Sequence, residues 1–141
     1  MITEAYVSFE IAKLLKEKGF NEDCEHYYTP EGEFKRWCPN GLVSHINNEG
    51  CETWWWKCIA PTQQMAMRWL REVHNLNVEP YATAPGFRFQ INKAGNIKVG
   101  DISGGTSVYD SNFDGPNDGG AWDAYEDAVE AAIKYCLTNL I

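Results

Sequence analysis

Apolar side chains recur along this chain with two different periods, and the change from one to the other marks out the elements. Val7, Ile11, Leu14 and Leu15 share one face of a helical repeat while Lys13, Lys16 and Glu17 face water. This predicts a first helix from about Ser8 to Lys18, with Ser8 as N-cap, Gly19 in the left-handed position that ends it, and Phe20 folding back on Leu15. A second helical stripe, Ala66, Trp69, Leu70 and Val73, predicts a helix from about Thr62 to His74, capped by Thr62 after Pro61. Gln64, Arg68, Arg71 and Glu72 are its wet positions, and His74 falls where a side chain meets the terminal helix carbonyls. A third stripe runs through Tyr125, Val129, Ala132, Ile133, Cys136, Leu137 and Leu140 and predicts a helix from about Ala124 to Asn139. Asp123 as N-cap with Glu126 three positions on resembles a capping box.

Between the helices the period shortens to two. Phe87, Phe89 and Ile91 alternate with Arg88, Gln90 and Asn92, the signature of a half-buried strand, and Ile97 and Val99 read as a return strand after a turn at Lys93–Asn96. Cys24 to Thr29 and Glu33 to Trp37 flank Pro30-Glu31-Gly32 and predict a hairpin. Val78 to Thr83, Thr106 to Tyr109 and Trp54 to Ile59 are shorter candidates. The order helix, strands, helix, strands, helix predicts an α+β fold: one domain over residues 1–141, with a mainly antiparallel sheet and about three helices packed on it. A chain of 141 residues, 44% hydrophobic and 13% aromatic, is long and apolar enough to bury a core without disulfides or metal.

The helical segments carry a resemblance. Tyr6-Val7-Ser8-Phe9-Glu10-Ile11-Ala12-Lys13-Leu14-Leu15-Lys16-Glu17-Lys18-Gly19-Phe20 resembles the start of small uncharacterised proteins of gut Bacteroides species and their phages. The segments from Ala60 to His74 and from Tyr125 to Leu137 are similar to the central and final helices of those proteins. The resemblance covers roughly a third of the chain, all of it helical. It implies a bacterial or phage-infected cytoplasm as the setting and carries over no site residues.

Charge and cysteine usage narrow the setting. No apolar run is long enough to span a membrane, and Met1-Ile2-Thr3-Glu4 opens no secretory signal. Five cysteines with irregular spacing fit reduced thiols in a cytoplasm better than a disulfide framework. The net charge of −8 is one-sided: residues 1–100 hold 12 acids and 11 bases, whereas residues 101–141 hold eight acids and Lys134 alone. That surface repels phosphate and suits a cation or a basic protein.

Candidate chemistry starts at Asp110-Ser111-Asn112-Phe113-Asp114-Gly115. Oxygen side chains at alternate positions before a glycine form the first half of a calcium loop. Asp110, Asn112, Asp114 and Asp118 are the candidate ligands, but position twelve is Ala121, not the bidentate Glu. The same residue types also make ordinary turns. Cys24, His26, Cys38, His45, Cys51 and Cys58 are of the types zinc takes, without its paired spacing. Trp54, Trp55 and Trp56 form a candidate binding surface, because successive strand side chains face opposite ways and one indole is left for a partner.

Three functions are compatible with these features. The first is a non-enzymatic cytoplasmic accessory protein that binds another protein, one form of which is an acidic mimic of nucleic acid. The second is a small cysteine- or metal-dependent hydrolase with its site among Cys38, His45 and Cys58. The third is a single-stranded nucleic-acid binder acting through the aromatic and basic residues of 34–57, which the acidic balance disfavours.

Overall fold

The computed structural model describes residues 2–49, 56–95, 100 and 106–141. The fold is α+β, with three α-helices and two antiparallel three-stranded sheets among the described residues in place of the single sheet expected. Contacts gather into two compact units, Met1–Ala66 and Met67–Ile141. No helix among the described residues is long and apolar enough to cross a membrane.

In the N-terminal unit, α1 spans Phe9–Glu17. The Ser8 hydroxyl accepts from Ile11 N at 3.3 Å, which satisfies one of the donors that a helix start leaves over. At the other end Gly19 adopts φ +91°, Gly19 N donates to Lys16 O at 3.1 Å and Phe20 N to Leu15 O at 2.9 Å. That is the Schellman ending expected, and it seats Phe20 and Leu15 in the core. Strands β1 (His26–Tyr28), β2 (Phe34–Arg36) and β3 (Cys58–Ile59) pair in the order β2-β1-β3. β1 and β2 form the predicted hairpin, its turn closed by Gly32 N on Thr29 O at 2.9 Å. Main-chain pairing is brief, so side chains add to it. The Tyr28 hydroxyl donates to Val7 O at 2.5 Å, and the Asn48 amide donates to Phe20 O at 2.7 Å while accepting from Ile59 N at 3.0 Å.

α2 (Gln63–His74) bridges the division in sequence. The Thr62 hydroxyl accepts from Met65 N at 3.1 Å, the cap read from the sequence. Ala66, Trp69 and Leu70 are buried as expected, but Val73 is 59% exposed. The buried face is centred on Gln63, Ala66, Met67 and Leu70, and it gives out in the last turn where Val73 sits. His74 does not cap a carbonyl: its ring meets Trp69 edge-on at 4.8 Å, and Nε2 is buried with no hydrogen-bond partner.

In the C-terminal unit, β4 (Asn77–Thr83), β5 (Gly86–Lys93) and β6 (Thr106–Asp110) pair in chain order. Phe89 and Ile91 of β5 point into the core, the alternation the sequence predicted. The return strand expected at Ile97 and Val99 lies outside the described residues. Pro80 lies in β4, an edge strand, where a missing donor costs least. α3 (Tyr125–Tyr135) packs on β4 and β5 through Ala128, Val129, Ala132 and Ile133, and a π turn, Cys136–Leu140, continues it. Its start departs from expectation. Ala124, not Asp123, is the N-cap and has no side-chain acceptor to offer, while Asp123 Oδ1 accepts from the Asn117 amide at 3.0 Å.

Candidate functional site

The half calcium pattern folds into a loop braced by many hydrogen bonds. Ser111 continues the β5–β6 ladder: its N donates to Phe89 O at 2.9 Å and its buried hydroxyl accepts from Phe89 N at 3.1 Å. Asp110 Oδ1 accepts from Asn112 N at 2.8 Å, a side-chain mimic of a turn, and from the Tyr81 hydroxyl at 3.1 Å. Asn112 adopts φ +45°, a conformation that asparagine tolerates better than most residues.

Asn117 holds the far half of the loop together. Its Oδ1 accepts from Gly119 N at 3.0 Å and Ala121 N at 2.9 Å, and its Nδ2 donates to Pro85 O at 2.8 Å and to Asp123. Gly115 N closes on Gly120 O at 3.0 Å, and Trp122 exchanges two main-chain bonds with Phe87 at 2.8 and 2.9 Å. A Cβ on Gly115 would lie 2.3 Å from the Ala121 main chain, so only glycine fits there.

Electrostatics follow from these bonds. The Asp114 carboxylate accepts a short hydrogen bond from the Tyr109 hydroxyl, and this bond, with burial, pushes that phenol up to about 12. Tyr81 is raised too, by burial first and then by its bond to Asp110. Both phenols therefore remain protonated donors at neutral pH. Asp110 and Asp114 are thus turned toward tyrosines from the sheet, and Ala121, at the position of the missing glutamate, is buried. Among the described residues no three His, Cys, Asp or Glu side chains come together to hold a metal ion. One oxygen each of Asp110 and Asp114 is thus engaged by a protein donor, out of the six to eight oxygens a calcium shell takes.

Phe113 stands at the tip of this loop and is 75% exposed. The Arg88 guanidinium lies 4.6 Å from the ring centroid, and its Nη2 donates to Gly119 O at 2.8 Å. The ring is backed by a cation and stays largely exposed, with Asn112, Asp114 and Asp118 exposed as well.

The other predicted sites fare differently. Trp56 is 6% exposed, so it joins the core and not a binding surface, while Trp54 and Trp55 lie outside the described residues, as does Cys51. Cys38 is exposed and Cys58 is buried in β3. A cleft of about 200 Å³ in the N-terminal unit brings His45 together with Cys24, His26, Glu25, Tyr6 and Met65, but neither Cys38 nor Cys58 lines it. The Cys24 thiol lies 3.8 Å from Met65 Sδ and donates to Glu22 O at 3.5 Å. Burial, then Asp23 and Glu22, push it up to about 12, which leaves it protonated and a poor nucleophile. His26 is lowered by burial and by Arg36. Glu25 is shared between His45 Nε2 and Arg36 Nη2, each at 3.7 Å. Sequence reasoning missed both this cleft and Phe113; an apolar residue set among turn formers was the one available signal for the latter.

No family model, no curated protein and no solved structure matches this chain.

Proposed function

We infer that this chain is a non-enzymatic accessory protein of a bacterial or phage-infected cytoplasm, and that it works by binding another protein. The observation that carries this reading is the pairing of a braced loop with an exposed aromatic tip. A loop tied by Asn117, Ser111 and two tyrosine hydroxyls loses little freedom when it docks, so the binding energy of Phe113 is not spent on ordering it. Aromatic side chains are enriched among the few residues that dominate protein interfaces, and fixed acidic neighbours select for a basic rim around the pocket that receives them. The resemblance of the helices to small phage and Bacteroides proteins supports the setting. The hydrolase reading has less support because neither Cys38 nor Cys58 lines the cleft that holds His45, and the nucleic-acid reading because Arg36 is paired with Glu25.

Affinity capture followed by quantitative mass spectrometry tests this. The baits are the unaltered protein, Phe113→Ala, and the double change Asp114→Asn, Asp118→Asn. The expected result is one polypeptide that both variants lose while their melting curves show them folded. If folded Phe113→Ala captures every protein the unaltered chain does, the reading fails.

A further inference from the structure

The outer edge of β2 is built to pair with itself. β2 ends the sheet order β2-β1-β3. Thr29 N donates to Glu33 O at 3.0 Å and Trp37 N to Glu25 O at 2.6 Å, with Tyr27 facing Lys35 between them. Main-chain groups alternate sides along an antiparallel strand. Those of Glu33, Lys35 and Trp37 therefore face β1, and those of Phe34 and Arg36 face outward, where no strand lies among the described residues. An open edge of this kind is a template for another strand. Phe34 makes the edge apolar as well as unpaired. Its ring stacks on His26 at 4.8 Å and meets Tyr6 at a tilt at 5.0 Å, yet it stays 44% exposed.

We propose that this edge joins a second copy of the chain, β2 against β2 across a two-fold axis, with Phe34 opposite Phe34. The charges select both the occupant and the register. Outward-facing residues must meet outward-facing residues, which leaves three antiparallel registers for a symmetric pair. Setting Arg36 opposite Arg36 puts two guanidiniums face to face. Setting Phe34 opposite Arg36 puts Lys35 directly against Lys35. Like charges at opposed positions repel. Setting Phe34 opposite Phe34 puts Glu33 of each copy opposite Lys35 of the other, twice, in the closer-spaced pairs that flank the central one.

Glu33 and Lys35 already lie 3.5 Å apart within one chain and are 66% and 50% exposed at their side chains. Two copies in this register make a square of four alternating charges on one face of the joined strands and an aromatic pair on the other. The ladder is short, because the Gly32 N–H is spent on Thr29 O in the hairpin turn. The dimer is accordingly weak and depends on concentration. It belongs to the N-terminal unit and is independent of the loop at Phe113.

Sedimentation velocity on the full chain tests this over roughly 10 µM to 1 mM, the range in which a weak association of this kind is read. The unaltered protein is expected to sediment faster as its concentration rises. Glu33→Lys and Lys35→Glu, each alone, place like charges opposite one another and are expected to remain monomers. An equimolar mixture of the two restores opposite charges at both positions and is expected to associate at least as well as the unaltered chain. Circular dichroism of each variant checks that it is folded, and the changed side chains are exposed. A monomeric unaltered protein across the whole range overturns the proposal. So does association of either single variant, or a mixture that stays monomeric.

Discussion

The two sheets are both antiparallel and three-stranded, yet they are held together differently. The strands of the N-terminal sheet are three, three and two residues long, and those of the C-terminal sheet seven, eight and five. The longer sheet is stabilised by its own ladder and by α3 across β4 and β5. The shorter sheet relies in addition on side chains that bond to main chain: Tyr28 on Val7, Asn48 on Phe20 and Ile59, and Lys16 Nζ on Lys57 O at 2.9 Å. Where regular pairing is short, polar side chains cease to be interchangeable surface.

This contrast can be broken most sharply in the C-terminal unit, where the long ladder hands over to the braced loop. Gly115→Ala forces a Cβ into the Ala121 main chain and is expected to cost about 3 kcal/mol in urea unfolding, the scale of overpacking and strain in a closed site. A matched pair of truncations then compares the two sheets directly. Asn48→Ala strands two main-chain groups of the short sheet's surroundings and is expected to cost about 2 kcal/mol. Gln90→Ala removes only an exposed cross-strand bond to Glu79 in the long sheet and is expected to cost under about 0.5 kcal/mol. Similar losses for the two would erase the distinction.

The helix starts give a smaller and opposite pair. Ser8→Ala loses a working cap, at about 1 kcal/mol, whereas Ala124→Ser supplies one where none exists and is expected to add roughly 0.5 kcal/mol. Each unit also buries a thiol, Cys24 in one and Cys136 in the other, and both are pushed by burial to about 12 from an ordinary 9.0. The neutral thiol is favoured by the fold, so its contribution is complete below about pH 9 and is lost as pH rises toward 12. Urea titrations from neutral to strongly alkaline pH should show stability falling over that window, with Cys24→Ala removing part of the fall. Calcium, finally, is expected to leave the melting temperature unchanged relative to EDTA at matched ionic strength, since Asp110 and Asp114 are already engaged.

What could be read in the sequence was whatever a local rule governs. The first helix, its Ser8 cap and its Gly19–Phe20 ending needed only neighbours along the chain, as did the Thr62 cap and the alternation at Phe87, Phe89 and Ile91. The failures share the opposite property. Asp123 looked like a cap until Asn117 claimed its carboxylate, and Asn117 is itself positioned by Pro85, 32 residues earlier. The oxygens of the Asp110–Asp118 segment have the spacing of a cation loop, and no local rule could show that Tyr81 and Tyr109 arrive from the sheet to donate to two of them. Phe113 and the N-terminal cleft are likewise products of tertiary placement.

The hairpin of β4 and β5 turns over Ala84 and Pro85 alone, between paired Thr83 and Gly86. So short a closure puts this pairing on the microsecond scale in a refolding chain. β3 meets β1 through Cys58 and Tyr28, thirty positions apart, and must first close a far larger loop. Ribosomal synthesis delivers these parts in the reverse order. The β1–β2 hairpin is made early and waits for its third strand, and during that interval both of its edges are open to whatever else the cell contains.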